Sequence, residues 1–305
     1  MAAASASPDR RAEWAEKLFR RSVLKQQKVR AIVSMLPPIA AAAAPDTAGR
    51  RGAGPLPDRF TCLDIGGDNG IVSLLLRAQG GRWTSADLDE RAVASIADLL
   101  GEEVCRIGED RLPFSDGSFD LIVIVDFLEH TRADRRFAAD CARVLRPGGW
   151  LIANVPHLVP GSILGRARRA VGWTDEMHGH VRPGYDLAGL CDVVGAAFAL
   201  EEARGYGRAF SEVVDIALNA LYSRRRAPDA AGAAAGAAAG AAAAAAAPPS
   251  LKGTVVTAAD VQQRRKEMAA LALAYPALKA FASLDALLFR HPGYRLIARF
   301  RRLGP

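Results

Sequence analysis

The chain has few of the residues that build disulfide frameworks, metal clusters and nucleic-acid stacking platforms. Its 305 residues include four cysteines, five histidines and 7% aromatic residues. No CxxC pair occurs and three of the cysteines lie in apolar runs, which favours reduced core thiols over a disulfide or metal role. They are Cys62, Cys105, Cys141 and Cys191. Few aromatic residues interleave with the basic clusters, so we expect no nucleic-acid partner.

Long runs of strongly apolar residues are also scarce. Residues 1–11 lack the apolar segment of a signal peptide. The tract at residues 227–249 consists mainly of alanine and glycine, and Asp229 is its one charged residue. Alanine is barely apolar enough to insert into a bilayer, so we interpret this tract as a low-complexity linker. We therefore expect a cytoplasmic protein.

Basic residues outnumber acidic ones, and the net charge is +7. The excess is clustered at positions 166–169, 224–226, 264–266 and 290–302. These clusters are typical of solvated helix ends and loops, but they also suit a phosphate-bearing substrate or an anionic membrane surface. The second interpretation leaves a membrane-peripheral location open.

Apolar segments of strand length alternate with segments of helix length through the centre of the chain. The strand candidates are residues 60–65, 82–87, 103–107, 119–125, 149–155, 197–204 and 294–300. Residues 119–125 are nearly all apolar, as expected for a strand covered on both faces. The alternation predicts an α/β fold with a doubly wound, mainly parallel sheet of seven strands.

Composition divides the chain into four parts. They are an N-terminal helix and linker at 1–58, a core at 59–206, a helical insertion at 207–290 that contains the linker 227–249, and a final strand with a basic tail at 291–305. The helix candidates outside the alternating centre are residues 9–36, 186–196, 209–222 and a pair within 258–289. The insertion is apolar enough to pack on the core, to form a lid or to contact a membrane.

A glycine-rich turn follows the first strand of the core. Residues 60–70 read FTCLDIGGDNG, and a helix is predicted over Ile71–Arg77. Glycine lets the backbone approach a ligand closely, and a helix N-terminus presents free N–H groups to it. Asp87 ends the next apolar run, where a carboxylate can accept hydrogen bonds from both ribose hydroxyls of an adenosine group. The pattern predicts a nucleoside-bearing cofactor.

Two further segments indicate which cofactor. Residues 112–130 read LPFSDGSFDLIVIVDFLEH, and residues 143–156 read RVLRPGGWLIANVP. Together with residues 63–70 and Asp87, they resemble class I S-adenosylmethionine (SAM)-dependent methyltransferases, in particular the small-molecule branch called type 11. The resemblance covers residues 60–156 and extends more loosely beyond them. It implies a Rossmann-like methyltransferase sheet and SAM as cofactor.

The resemblance also implies the residues that bind SAM. They are Asp64, Gly66, Gly67, Asp68, Gly70, Asp87, Leu88, Asp110 and Asp126. Asp87 would hold the ribose, the glycines would pass under the amino-acid tail, and Asp64 would lie near the amino group of that tail. Asp110, with Glu109 as second choice, would meet the adenine amino group.

Asp68 departs from the family pattern, because it replaces the middle glycine of the turn. Its carboxylate could accept a hydrogen bond from the ammonium of the SAM tail. It could instead cap the helix that follows. Both roles remain open.

Methyl transfer in this family is an in-line displacement, so the protein supplies alignment and, for a hydroxyl acceptor, a general base. The candidates for that base are His157, His178 and Glu129. His157 directly follows the fifth strand, and a neutral imidazole is a suitable base near pH 7. Glu129 lies in a run that includes Asp126 and His130. The side chains of this run could contact the cofactor or the substrate, or they could form local hydrogen bonds that shape the loop.

Residues 175–180 bring two histidines and two acids into six positions. Such a run could bind a metal. The alternative is that His180 and Arg182 anchor the loop before the helix at 186–196. We expect no metal site.

The combined pattern predicts a SAM-dependent methyltransferase that acts on oxygen in a small-molecule, glycan or lipid-linked acceptor. The alternatives are an N- or C-methyltransferase on the same fold, or a non-catalytic SAM-fold protein that uses the insertion for association. An NAD dehydrogenase is disfavoured, because no third glycine follows at the GxGxxG spacing. The acceptor and the oligomeric state are not encoded in any motif.

Overall fold

The structure, a computed structural model, describes residues 16, 19–37, 56–67, 69–162, 164–166, 180–224 and 265–304. The linker 227–249, Asp68 and His178 lie outside these residues, as do most of the predicted metal-binding run and residues 1–15 of the N-terminal region.

The strands are β1 (Leu56–Ile65), β2 (Gly80–Asp87), β3 (Cys105–Arg106), β4 (Phe119–Val125), β5 (Leu145–Pro156), β6 (Phe198–Tyr206) and β7 (Arg295–Arg302). The helices are α1 (Val23–Ser34), α2 (Ile71–Arg77), α3 (Glu90–Leu100), α4 (Asp134–Val144), α5 (Leu187–Val194), α6 (Ala209–Arg224) and α7 (Arg265–Ser283). Short 3₁₀ helices occur at Leu128–His130 and Leu284–Leu288.

The seven strands form one sheet in the order β3-β2-β1-β4-β5-β7-β6. Strands β1 to β5 are parallel, and β7 pairs antiparallel with both β5 and β6. This confirms the prediction of a mainly parallel, seven-stranded α/β sheet. The strand order reverses between β1 and β4, and α/β sheets bind ligands beyond the carboxyl ends of the strands at such a point.

The carboxyl ends of the parallel strands define one edge of the sheet, which we call the carboxyl edge. The ends of β1, β2, β4 and β5 all lie there. Tyr206 at the end of β6 and Arg295 at the start of β7 join them, because these two residues pair with each other and Arg295 also pairs with Pro156. Polar side chains from six strands can therefore meet at this edge.

Alternation along β4 explains its apolar sequence. Ile122 and Ile124 are buried in the core on one face of the sheet, with Phe137 of α4. Leu121 and Val123 are buried on the opposite face, where α1 and α2 pack. A strand covered on both faces buries every side chain, which is why it shows no polar alternation.

The helices of the insertion pack on each other and on α1. Val23, Val214 and Ala282 form a small buried cluster that joins α1, α6 and α7. The Asp285 carboxylate accepts hydrogen bonds from the backbone N–H groups of Arg208 and Phe210 at 2.8 and 2.9 Å, which fixes the start of α6. None of the helices described combines the length and apolarity that crossing a bilayer requires.

Several boundaries differ from the predicted ones. β1 and β5 begin earlier than predicted, and β3 is limited to the two residues that pair with Ala86 and Asp87 at the end of β2. All four cysteines are free, as expected. Burial raises the pKa of the Cys62 and Cys141 thiols, which keeps them protonated.

Candidate functional site

The glycine turn after β1 lies tightly on the carboxyl edge. Gly66 and Gly70 have φ angles of +84° and +85°, in the left-handed region that costs other residues free energy. A Cβ on Gly66 would lie 2.2 Å from the carbonyl oxygen of Val125. The N–H of Gly66 donates to the carbonyl of Ala86 at 3.2 Å. The turn therefore crosses from β4 to β2 with its backbone in contact with both strand ends.

Asp64 lies beneath this turn and is buried. Its carboxylate accepts hydrogen bonds from the hydroxyls of Ser73 and Ser85, the latter at 2.8 Å, and Arg77 lies 3.4 Å away. Burial raises the pKa of Asp64, although these hydroxyls and Arg77 act in the opposite direction. The carboxylate thus ties the turn to α2 and β2, while its predicted contact with the SAM amino group stays a prediction.

Gly70 is the N-cap of α2, and it makes no side-chain capping bond. Asn69 Oδ1 accepts a long, 3.4 Å hydrogen bond from the N–H of Ile71. A helix N-terminus offers the N–H groups of its first turn as donors to a ligand. Asp68 lies outside the residues that the structure describes, so both of its possible roles stay predictions.

Asp87 ends β2 beside the glycine turn, with Leu88 next to it. The side chain of Asp87 is buried, and its Oδ1 accepts a 2.9 Å hydrogen bond from the N–H of Asp89. Ala86, which precedes Asp87, holds the N–H of Gly66. The predicted ribose-binding carboxylate and the glycine turn are therefore brought together.

The loop after β3 is exposed, and it contacts the loop after β4. Asp110 lies 3.5 Å from Arg136 of α4, and both are at the surface. The carbonyl and side chain of Glu109 accept hydrogen bonds at 3.3 Å from the Thr131 hydroxyl and from the N–H of Arg132. The structure places both adenine candidates at the same side of the site as Asp87.

Asp126 directly follows β4 and has a φ of +45°, the one positive value among the non-glycine residues described. Its Oδ1 accepts a 2.8 Å hydrogen bond from Asn154 of β5, and its Oδ2 forms an ion pair with Lys28 of α1. Burial acts to raise the pKa of Asp126, but Lys28 and Arg295 outweigh it and hold the pKa below its usual value. Asp126 is therefore an ionised carboxylate at the centre of the edge.

The polar network continues away from the cofactor candidates. The hydroxyl of Tyr206 donates to Asn154 Oδ1 at 2.6 Å, and burial raises the pKa of Tyr206. Arg295 lies 3.5 Å from the buried carboxylate of Glu212.

Sequence reasoning missed Lys28 and Asn154, because no local motif marks them and Lys28 lies 98 residues from its partner.

His157 follows β5 at the same edge. Its Nδ1 lies 2.9 Å from the carbonyl oxygen of Gly293. A carbonyl only accepts hydrogen bonds, so Nδ1 carries the proton in this contact and the neutral ring has its lone pair on Nε2. His157 is half-buried. Its contact with Gly293 holds the tautomer that a general base acting through Nε2 requires.

Glu129, His130 and His180 meet beside the 3₁₀ helix after β4. The N–H of Val181 donates to the carbonyl of Glu129 at 2.8 Å, and the rings of His130 and His180 are 4.7 Å apart between centroids. Arg182 donates to the carbonyl of Thr131 at 2.8 Å and pairs with Asp134.

These contacts of Val181 and Arg182 tie the loop before α5 to the turn after β4, and the anchoring role of His180 stays a prediction. His178 lies outside the structure described, so its candidacy as a base stays a prediction. Glu129 is buried, which places its carboxylate inside the loop cluster.

Comparisons with known proteins agree with this geometry. A family model described as a methyltransferase domain matches residues 63–153. An uncharacterized methyltransferase of Mycobacterium sp. (strain KMS) is 32% identical over 161 residues, which cover 50% of this chain and 63% of that protein. A probable S-adenosylmethionine-dependent methyltransferase of Mycobacterium tuberculosis is 32% identical over 98 residues, which cover 32% of this chain and 36% of that protein.

Solved structures share the fold. A chain of the complex between the Haloferax volcanii Trm112 methyltransferase activator and the putative methyltransferase aligns over 98% of this chain and 99% of that chain, with a TM-score of 0.50 and 14% identity. At that identity the likeness concerns the fold alone. The matched region spans 63% or less of the length of these curated relatives.

Proposed function

We propose that this chain, whose residues 63–153 match the methyltransferase-domain family model, is a class I SAM-dependent methyltransferase that transfers the methyl group of SAM to an oxygen atom of a small-molecule, glycan or lipid-linked acceptor. The observation that carries the proposal is the meeting of the glycine turn and Asp87 at the carboxyl edge of the sheet. The turn offers backbone N–H donors and lets its backbone approach a ligand closely, and Asp87 offers a carboxylate that can bind ribose.

The cofactor would lie across the ends of β1, β2 and β4. Asp87 and Leu88 would bind the ribose, Gly66, Gly67 and Gly70 would face the amino-acid tail, and Asp110 would meet the adenine. These glycines have no room for side chains, since a Cβ on Gly67 would lie 2.4 Å from the Ser73 hydroxyl. Asp64 would support the turn from below rather than meet solvent.

The acceptor would lie over β4 and β5, next to Asp126 and Asn154. His157 Nε2 would take the proton from the acceptor hydroxyl as its oxygen attacks the methyl carbon, while the C–S bond breaks and leaves a neutral thioether. The contact of Nδ1 with Gly293 supports this role, because it fixes the required tautomer. The sulfonium already makes the methyl carbon electrophilic, so alignment supplies most of the remaining rate enhancement.

The helical insertion would contribute the outer wall of the acceptor site and a membrane-facing surface. Leu287 and Phe289 beyond α7 are 70% and 75% exposed, and Leu273 is also highly exposed. Lys279 lies on α7, and Arg290 directly follows Phe289. Apolar side chains flanked by basic ones suit the interface of an anionic membrane, where a lipid-linked acceptor would be found.

Methyl transfer is tested by incubating the purified protein with methyl-labelled SAM and cell extract. We expect label in an extractable acceptor with the wild-type protein and none with Asp87→Ala. Label bound through an ether or ester oxygen would support O-methylation, whereas label on nitrogen or carbon would replace it with one of the alternatives. A protein that binds SAM but labels nothing would support the non-catalytic alternative.

Membrane contact is tested by flotation with vesicles that contain anionic or only zwitterionic lipids. We expect the wild-type protein to float with anionic vesicles and the Leu287→Ser/Phe289→Ser double variant to remain in the soluble fraction. Leu158→Ser, an exposed change outside the insertion, is the matched control. If the wild-type protein stays soluble with anionic vesicles, the membrane part of the proposal is wrong.

A further inference from the structure

Two imidazoles and one carboxylate converge in the loop cluster of Glu129, His130 and His180. One ligand atom from each residue lies within 4.8 Å of the other two. Metal–ligand bonds in protein sites are about 2.1 Å long, so two ligands on one ion are at most about 4.2 Å apart. Side-chain rotations that move these atoms by about an ångström would bring all three onto one ion.

The backbone holds these three side chains in place. His130 and Glu129 are neighbours on the 3₁₀ helix, and the N–H of Val181 donates to the carbonyl of Glu129 at 2.8 Å. The hydroxyl of Tyr185 donates to the carbonyl of Leu128 at 3.1 Å, which fixes the loop at a second point. Two segments that are 50 residues apart in sequence are thus joined where the potential ligands meet.

Burial also favours a cation in this position. The carboxylate oxygens of Glu129 and the Nδ1 of His180 are shielded from solvent. Opposite charges attract more strongly where water is excluded, so a shielded carboxylate beside imidazole nitrogens favours coordination of a metal ion.

The chemistry of the donor set identifies the class of ion. Imidazole nitrogens suit Zn²⁺ and other first-row transition metals, whereas Mg²⁺ and Ca²⁺ prefer sites made of oxygen atoms. Two histidines and one carboxylate leave at least one coordination position for water or another oxygen ligand.

We infer that Glu129, His130 and His180 form a binding site for a divalent transition-metal ion. From the sequence alone we expect no metal site. The run of histidines and acids at residues 175–180 includes neither Glu129 nor His130. The ion would fix the loop before α5 to the turn after β4, beside the proposed acceptor site. The site does not depend on the proposed methyl transfer, and its binding can be measured without SAM.

Co²⁺ is the probe, because its visible absorption reports coordination by protein ligands. Titration of untagged, metal-free protein should give about one tightly bound Co²⁺ per chain, with the absorption expected of an N- and O-ligated site. Zn²⁺ should displace it. His180→Ala and Glu129→Gln should weaken Co²⁺ binding by more than the roughly tenfold that loss of a supporting contact costs.

His291→Ala is the matched control, since His291 lies outside the cluster and the change also removes one imidazole. It should leave Co²⁺ affinity and absorption unchanged. Circular dichroism and thermal unfolding identify the variants that are folded, and His130→Ala replaces any that is not. The inference is overturned if wild-type protein shows no protein-ligated Co²⁺ spectrum, or if folded cluster variants bind Co²⁺ as tightly as wild type.

Discussion

Gly66 illustrates how single residues shape the site. Two independent constraints act on it, a positive φ and a carbonyl oxygen 2.2 Å from where a Cβ would lie. Gly101 shares the first constraint, with a φ of +67°, but has nothing within 4 Å of a Cβ. The two positions therefore separate the cost of backbone strain from the cost of steric overlap.

We predict that Gly101→Ala lowers the free energy of unfolding by about 1–2 kcal/mol, the cost of the left-handed conformation. Gly66→Ala should cost more and should also abolish SAM binding, because the turn must move away from Val125. Urea denaturation and SAM titration measure the two effects. Equal destabilisation of the two variants with intact SAM binding would contradict this account of the turn.

His157 is the residue on which the proposed chemistry depends. His157→Gln should lower kcat by about 10²–10⁴-fold, since a glutamine cannot take up the acceptor proton. The dissociation constant of SAM should stay the same, because His157 is placed on the acceptor side. Glu103→Gln, an exposed change away from the carboxyl edge, serves as the control and should retain kcat. A His157→Gln enzyme with unchanged kcat would exclude this residue as the base.

The residues that belong to local motifs could be predicted from the sequence, and those that meet only through folding could not. Gly66, Gly70 and Asp87 follow from a turn and a strand end within 28 positions. Lys28 and Asn154 reach Asp126 from separate elements, so no spacing rule marks them. The meeting of His130 with His180 depends in the same way on the contact of Val181 with Glu129.

At the scale of elements, α1 connects the N-terminal region to the carboxyl edge. Ile32 is fully buried against the sheet, and Gln27 donates to the Ser211 hydroxyl at 2.7 Å. Lys28 of the same helix pairs with Asp126. The helix thus covers the proposed acceptor side and holds its central carboxylate.

Removal of this pair should be visible as a pH-dependent loss of stability. Lys28 and Arg295 outweigh burial and hold the pKa of Asp126 below its usual value. An unfolded aspartate titrates near pH 4, so the unfolded state binds more protons between that pH and the folded pKa. The stabilisation is therefore present above about pH 4 and is lost as the pH falls through the folded pKa.

We predict that Lys28→Met lowers the free energy of unfolding by about 2 kcal/mol at pH 7, between the values for exposed and buried ion pairs. Its difference from wild type should narrow below about pH 4. Arg30→Met, an exposed change on the same helix, should have little effect at either pH. Urea denaturation at pH 7 and below about pH 4 measures the difference in the free energy of unfolding between Lys28→Met and wild type. A difference that does not change with pH would show that the ion pair of Lys28 with Asp126 is not its cause.

Element types were predictable where a periodic pattern is long, and boundaries were not. β4 and α2 have the predicted bounds, because the buried strand ends at Val125, directly before Asp126, and the helix begins directly after Gly70. β3 is shorter than predicted, since it pairs only with Ala86 and Asp87 at the end of β2. Its length depends on a neighbouring strand rather than on its own residues.

At the scale of the whole molecule, the sheet order brings the proposed cofactor side and acceptor side to one edge. The antiparallel β7 returns between β5 and β6, so Arg295 and Tyr206 join Asp126 and Asn154 there. The alternation of strands and helices predicted the parallel sheet, but not which strands carry the acceptor side. That assignment follows from strand order, which no single segment encodes.

The central claim is that the glycine turn and Asp87 together bind SAM, and calorimetric titration tests it most directly. The wild-type protein should bind SAM and its demethylated product, and Asp87→Ala should weaken both by about tenfold or more, the effect of losing a charge-assisted hydrogen bond. Glu103→Ala, an exposed change away from the carboxyl edge, should bind as wild type does. A folded wild-type protein that releases no heat with either ligand would contradict the account.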